Sequence, residues 1–156
     1  MKLDSRFRGN DKFSPIEGGE LVFMELQVGV KVLLKNPEGK FLLIKRSDKK
    51  YPEVGPRWDI VGGRIEPGTT LLDNLKREVK EEINLELTET PELVAVQDIL
   101  RLTDKHVVRM TYTGSITGEP KLDEDHTEFG WFTRDEMLKL ENLDIYFAEL
   151  LKANMV

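Results

Sequence analysis

Apolar positions in this chain change period several times, and each change marks an element. Leu26 to Leu34 (LQVGVKVLL) is part alternating and part continuously apolar, which predicts a strand. Asn36-Pro37-Glu38-Gly39 reads as a turn, and Phe41 to Ile44 as a second buried strand ending in Lys45-Arg46. The two strands are expected to form a hairpin. Residues 47–57 carry two prolines and a glycine and read as a loop. Trp58 to Val61 is a short strand running into Gly62-Gly63. A helix is predicted from near Thr70, with Thr70 and Asp73 as a capping box. Leu72, Leu75, Val79 and Ile83 form its apolar stripe, and Asn84 suits the left-handed position that closes it.

The second half repeats the order. Pro91 to Leu100 and Val107 to Ile116 read as strands joined at Thr103-Asp104-Lys105. Gly118-Glu119-Pro120 breaks the pattern, and residues 121–125 form a charged loop. Phe129 to Phe132 is an aromatic strand of core residues. Thr133-Arg134-Asp135-Glu136 is a second capping box, opening a helix from Asp135 to about Leu140. An amphipathic segment from about Leu143 to Lys152 is expected to pack through Tyr146, Phe147, Leu150 and Leu151, or to form a dimer surface. Strands, helix, strands, helix is the order of an α+β or layered mixed-sheet domain.

Composition narrows the function classes. The 156 residues carry 39% hydrophobic and 33% charged side chains and a net charge of -6, as expected for one globular domain. No long basic run is present, which argues against a nucleic-acid polymer as partner but not against a single nucleotide. Cysteine is absent, so thiolate metal sites and cysteine nucleophiles are excluded; a cytoplasmic location is expected. No apolar run reaches the roughly 18 residues of a membrane span. Residues 1–20 are polar and read as a peripheral N-terminal extension, with the functional domain over 21–156.

The chemistry concentrates between Gly62 and Leu85. At about 100° per residue, Glu78, Glu81 and Glu82 share the side of the helix away from the apolar stripe. Glu78 and Glu82 are a like-charge i, i+4 pair, costing roughly 0.2–0.5 kcal/mol. A hard divalent ion reverses that sign, since Mg²⁺ takes carboxylates together with substrate phosphates. Arg77 can hold a carboxylate, and Gly62 and Gly63 let backbone approach an ion or a phosphate. A solvated Glu/Lys/Arg face explains the helix taken alone. It does not explain the Gly-Gly and Pro-Gly turns at fixed distance ahead of it.

This stretch resembles the Nudix box of the Nudix (MutT-like) hydrolases: G, five residues, E, seven residues, then R-E-U-x-E-E-x-G-U with U aliphatic. Gly63 opens it, Arg77-Glu78-Val79 and Glu81-Glu82 follow, and Leu85 closes it. Thr69 stands where the family has Glu, and Asn84 where it has Gly. Trp58 to Gly63, Phe41 to Ser47 and Glu128 to Phe132 resemble flanking strands of the family, so the likeness covers about residues 26–140. It implies an α/β/α sandwich around a mixed sheet and metal-dependent hydrolysis of a nucleoside diphosphate derivative. Within that class the expected substrate is a nucleoside triphosphate, giving a monophosphate and pyrophosphate. A nucleotide sugar such as ADP-ribose is the alternative, and Thr69 raises a third reading, a catalytically weak nucleotide-binding module.

Under this resemblance Glu78, Glu81, Glu82 and the Gly62 carbonyl are metal-ligand candidates for Mg²⁺ or Mn²⁺. Glu78, Glu81, Arg77 and Glu128 are the catalytic candidates. Arg46, Trp58, Gly63 and Arg64 are the substrate-binding candidates: Arg46 as a bidentate phosphate ligand, Trp58 as a stacking face or a core indole. His106 and His126 lie too far apart in sequence to suggest a metal pair; each is read as an ordinary residue, with a place in the substrate pocket as the alternative. The expected partner is a small nucleotide, and the expected assembly a monomer or homodimer.

Overall fold

The computed structural model describes residues 23–156 apart from 51, 53 and 54; the expected extension over residues 1–20 lies outside them. The elements are β1 Glu25–Lys35, β2 Phe41–Arg46, β3 Trp58–Asp59, β4 Val61–Arg64, α1 Leu71–Ile83, β5 Glu92–Ile99, β6 Lys105–Ser115, β7 His126–Phe132, α2 Arg134–Met137 and α3 Ile145–Lys152. The described strands form one seven-stranded mixed sheet. β1 runs parallel to β6 along its whole length, from Glu25 opposite Lys105 to Lys35 opposite Ser115. β5 extends this half antiparallel to β6.

Two expectations about the strands change. β1 and β2 are a hairpin only at its mouth, where Lys35 faces Phe41. Beyond it they splay, because each takes other neighbours: β1 pairs with β6 and β4, and β2 with β7 and β3. The near-continuous apolar run of β1 fits a strand buried on both faces. The segment 58–61 is not one strand. It breaks at Ile60, with β3 on the β2 side of the splay and β4 on the β1 side.

Alternate residues of the sheet fill two cores. Val32, Leu42 and Ile44 pack with Leu75, Val79 and Ile83 of α1. Leu33, Leu43 and Ile60 pack with Met137, Phe147 and Leu151 from the α2–α3 side. The result is the expected α/β/α sandwich. Leu71, not Leu72, heads the α1 stripe in the core. Among the described residues, no helix is long and apolar enough to cross a membrane.

The helix ends follow local chemistry. Thr70 caps α1 by accepting from the Asp73 N–H at 3.1 Å. The reciprocal half of the expected box is not made, consistent with Asp being one methylene shorter than the Glu or Gln such boxes use. Thr133 and Glu136 make the complete box. α2 ends at Met137, earlier than expected, because the chain tightens into i→i−3 bonds from Lys139 N–H to Glu136 O and from Leu140 N–H to Met137 O. Asn84 closes α1 with φ 53° and donates its N–H to Lys80 O.

Asn74, buried in the first turns of α1, staples the preceding turn to the helix. Its Oδ1 accepts from Glu66 N–H at 2.8 Å, and its Nδ2 donates at 2.6 Å to both Thr69 Oγ1 and Thr70 O. Thr69 in turn donates its hydroxyl to Glu66 O at 2.7 Å. The residue that departs from the family pattern thus closes the Glu66-Pro67-Gly68-Thr69 turn. Asn74→Ala is expected to lower the unfolding free energy by about 1–3 kcal/mol in urea titration, since it removes the hydrogen bonds with which a buried amide holds the turn to the helix.

Candidate active site

The site is built where β4 passes between β1 and α1. Gly62 has φ 133°, and a Cβ there would stand 2.1 Å from the Val30 carbonyl oxygen. A Cβ on Gly63 would stand 2.7 Å from Glu78 Oε1. Gly62 therefore excludes a side chain because of the β1 backbone, whereas a side chain on Gly63 would displace the Glu78 carboxylate. The close approach lets the Gly62 N–H donate to Glu82 Oε2 at 2.8 Å. Gly62 was expected to offer its carbonyl; the contact it makes with the acidic helix is through its N–H.

Arg77 divides the carboxylates. It donates to Glu78 Oε1 and to Glu81 Oε2, each at 2.9 Å, and to the Arg64 carbonyl at 3.2 Å. Glu81 is drawn to the rim, with 57% of its side chain exposed, while Glu78 and Glu82 retain 12% and 13%. Burial pushes the Glu82 carboxyl up to about 8; Lys31 and the Gly62 N–H offset this in part, and Glu78 and Asp59 add to it. Burial also raises Glu78 against the pull of Arg77. Among the described residues no three acidic, histidine or cysteine groups stand together as a ready cage. The donor chemistry nevertheless fits a hard divalent ion. The helix offers carboxylate oxygens, and the two nearest the glycine strand are held in surroundings that disfavour an uncompensated negative charge.

Beside this pair lies a buried charge cluster that sequence reasoning missed. Asp59 is 1% exposed. Its Oδ2 accepts from Lys31 Nζ and from an Arg46 terminal nitrogen, both at 2.9 Å, and Arg109 stands 3.4 Å from Oδ1. Arg109 also pairs with Asp144, the N-cap of α3, at 2.8 Å. Burial alone would raise the Asp59 carboxyl, but Lys31, Arg109 and Arg46 overcome it and hold it well below the usual carboxylate range. The signal was present in the sequence: Lys31, Asp59 and Arg109 are each a single charge inside an apolar strand.

The other expected residues distribute unevenly. Arg46 is held on Asp59 with 30% of its side chain exposed. Trp58 packs edge-on against Phe132 at 5.3 Å in the α2–α3 core, with Lys45 Nζ 5.4 Å from its ring centre, away from Glu78 and Glu82. Glu128 faces Lys45 across β2 and β7, bonds to it at 3.3 Å and is 57% exposed. Arg64 donates to Gln27 Oε1 at 2.9 Å; burial and the nearby Arg46, Arg109 and Arg101 lower its pKa, so it stands among cations. His106 bonds Asp98 at 2.7 Å. His126, for which the sequence left open an ordinary residue or a place in the pocket, stands beside Glu82: Nδ1 bonds Asp123 at 2.7 Å and Nε2 lies 4.0 Å from Glu82 Oε1.

The two buried carboxyls respond to pH in opposite senses. Asp59 has a depressed pKa, so its stabilisation is present above about pH 3.9 and is lost as pH falls. Asp59→Asn is expected to cost about 3–5 kcal/mol in urea unfolding at neutral pH, because three cations lose their buried partner, with the loss shrinking in acid. Glu82 has a raised pKa, so its contribution is full below about pH 4.3 and is lost as pH rises through about 8. Without divalent ions, Glu82→Gln is expected to melt at a higher temperature than wild type at pH 8, the two converging near pH 4. Calorimetry at the two pH values checks this.

A family model described as the NUDIX domain matches residues 25–153. Nucleoside triphosphatase NudI of Escherichia coli is 30% identical over 116 residues, 68% of this chain and 81% of that protein. A putative 8-oxo-dGTP diphosphatase 2 of Mycobacterium tuberculosis is 31% identical over 86 residues, 55% of this chain and 60% of the relative, so the match spans less than two thirds of that relative's length. Among solved structures, the MutT protein from Methanosarcina mazei superposes with a TM-score of 0.74 at 27% identity, over 83% of this chain and 93% of that one. A MutT Nudix hydrolase from Burkholderia pseudomallei gives 0.70 at 28%, over 82% and 97%. The glycine strand and carboxylate helix that build the site lie inside the matched region, and the chain belongs to the Nudix (MutT-like) hydrolase family.

Proposed function

We propose that the protein hydrolyses the diphosphate linkage of a nucleoside triphosphate, releasing a nucleoside monophosphate and pyrophosphate, with Mg²⁺ or Mn²⁺ as cofactor. The observation that carries this reading is the pairing of Glu78 and Glu82 against Gly62-Gly63, beside an Arg46 already oriented by Asp59. The printed names of the relatives, a nucleoside triphosphatase and an 8-oxo-dGTP diphosphatase, support a triphosphate substrate.

Glu78 and Glu82 would hold the ion, with Glu81 at the rim. When bound, the ion neutralises phosphate charge and acidifies a water. Arg46 binds a phosphate oxygen while Asp59 keeps its guanidinium in one plane. Arg77 donates to both Glu78 and Glu81, offsets their mutual repulsion and fixes where each carboxylate stands. Water adds to phosphorus, the bridging P–O bond breaks, and the bridging oxygen leaves with pyrophosphate. The proton of the water passes to a carboxylate, for which Glu78, held at Oε1 by Arg77, and Glu128 are the candidates. Thr69 supplies no charge, but its hydroxyl completes the turn ahead of α1, so the helix is positioned without the family carboxylate.

Phosphorus NMR of products from a panel of nucleoside triphosphates and nucleotide sugars checks the reading. The expected outcome is monophosphate plus pyrophosphate, with turnover falling on the order of 10²-fold or more in Glu82→Gln. Turnover of nucleotide sugars alone would replace the substrate class, and nucleotide binding without turnover at any Mg²⁺ or Mn²⁺ concentration would replace the enzyme with a binding module. Thr69→Glu is expected to leave turnover within a few-fold of wild type.

A further inference from the structure

The loop between β6 and β7 does more than connect strands. Lys121 N–H donates to Ile83 O at 2.9 Å, and Asp123 N–H donates to Glu82 O at 3.2 Å. These bonds satisfy carbonyls in the last turn of α1 and moor the loop to the acidic helix. The mooring brings Asp123 against His126, which opens β7. Asp123 Oδ1 lies 2.7 Å from His126 Nδ1. A carboxylate only accepts, so Nδ1 carries the hydrogen and Nε2 of the neutral ring presents a lone pair.

That lone pair has a specific surrounding. The His126 side chain is 7% exposed, and among the described residues Nε2 makes no hydrogen bond. It faces Glu82 Oε1 at 4.0 Å, while the other Glu82 oxygen is occupied by the Gly62 N–H. The gap exceeds a hydrogen bond. It is within the span of two ligands of one ion, each of which would bind at about 2 Å. At that separation neither atom is engaged by the other, so both remain available to a single cation. A carboxylate bonded to the far nitrogen of an imidazole is also how proteins orient a metal-ligating histidine.

We propose that His126 Nε2 is a nitrogen ligand of the ion that Glu82 holds, with Asp123 as the residue that orients it; this rests on reading Glu78 and Glu82 as an ion site. The imidazole supplies a donor from the opposite side of the site in a chain where Thr69 has removed one family carboxylate. It also changes the metal chemistry. A site of oxygens alone suits Mg²⁺, whereas a site with one imidazole moves preference toward Mn²⁺ and later transition ions.

The test is pulsed electron paramagnetic resonance on the full chain loaded with Mn²⁺, alongside calorimetric titration with Mn²⁺ and Mg²⁺. The expected result is nitrogen modulation from a directly bound imidazole in wild type, absent in His126→Gln. That variant is also expected to bind Mn²⁺ roughly 10–100-fold more weakly, with a smaller change for Mg²⁺. The chain has two histidines, so His106→Gln should retain the modulation and assigns it to His126 even if His126→Gln does not fold. Mn²⁺ binding that depends on Glu82 but shows no nitrogen modulation overturns the proposal and leaves the ion site standing. Mn²⁺ binding that is absent, or indifferent to Glu82→Gln, overturns both.

Discussion

The close approach of β4 to its neighbours is the constraint from which the site follows. Gly62 leaves no room for a Cβ against β1, and a Cβ on Gly63 would push the Glu78 carboxylate from its place. Removing both side chains lets an acidic helix lie within hydrogen-bond reach of a sheet backbone, so that Glu82 is held by the Gly62 N–H. The apolar stripe of Leu71, Leu75, Val79 and Ile83 sets the rotation of α1 on the sheet, and the glycines set its distance.

Two buried carboxyls near this contact are stabilised in opposite ways. Asp59 is surrounded by Lys31, Arg46 and Arg109 and is held ionised. Glu82 has no comparable partner and is held near neutral by burial. The first arrangement is a structural anchor: through Arg109 and Asp144 it ties the sheet to the start of α3, and through Arg46 it fixes a cation at the edge of the site. The second is a site kept deficient in positive charge. A carboxyl buried without a matched cation costs stability wherever it is ionised.

The splay of β1 from β2 makes room for both. A full hairpin would have closed the space that Asp59 and Ile60 now cross. Because β1 is claimed by β6 and β4, and β2 by β7 and β3, the chain passes from one half of the sheet to the other at this point. A charged side chain placed there meets cations from several strands. Trp58 belongs to the same crossover but faces the other core, where its backbone bonds Asn142 and Asp144 and so places the α3 cap that reaches Arg109.

The acidic helix, its caps and its apolar stripe were legible in the sequence, because a helix is governed by residues three and four apart. Helix period alone put Glu78, Glu81 and Glu82 on one side, and Asn84 was readable as a left-handed cap. Tertiary structure decided which carboxylates face inward, since Arg77 draws Glu81 to the rim and the glycine strand takes Glu82. It also decided the pairing of β1, the break at Ile60 and the gathering of Asp59, Lys31, Arg46 and Arg109, because strand partners far apart in the chain leave no local periodic signal. His126 shows the difference most plainly. Nothing in its neighbourhood of sequence distinguishes it from His106, and only the loop moored to the last turn of α1 sets it opposite Glu82.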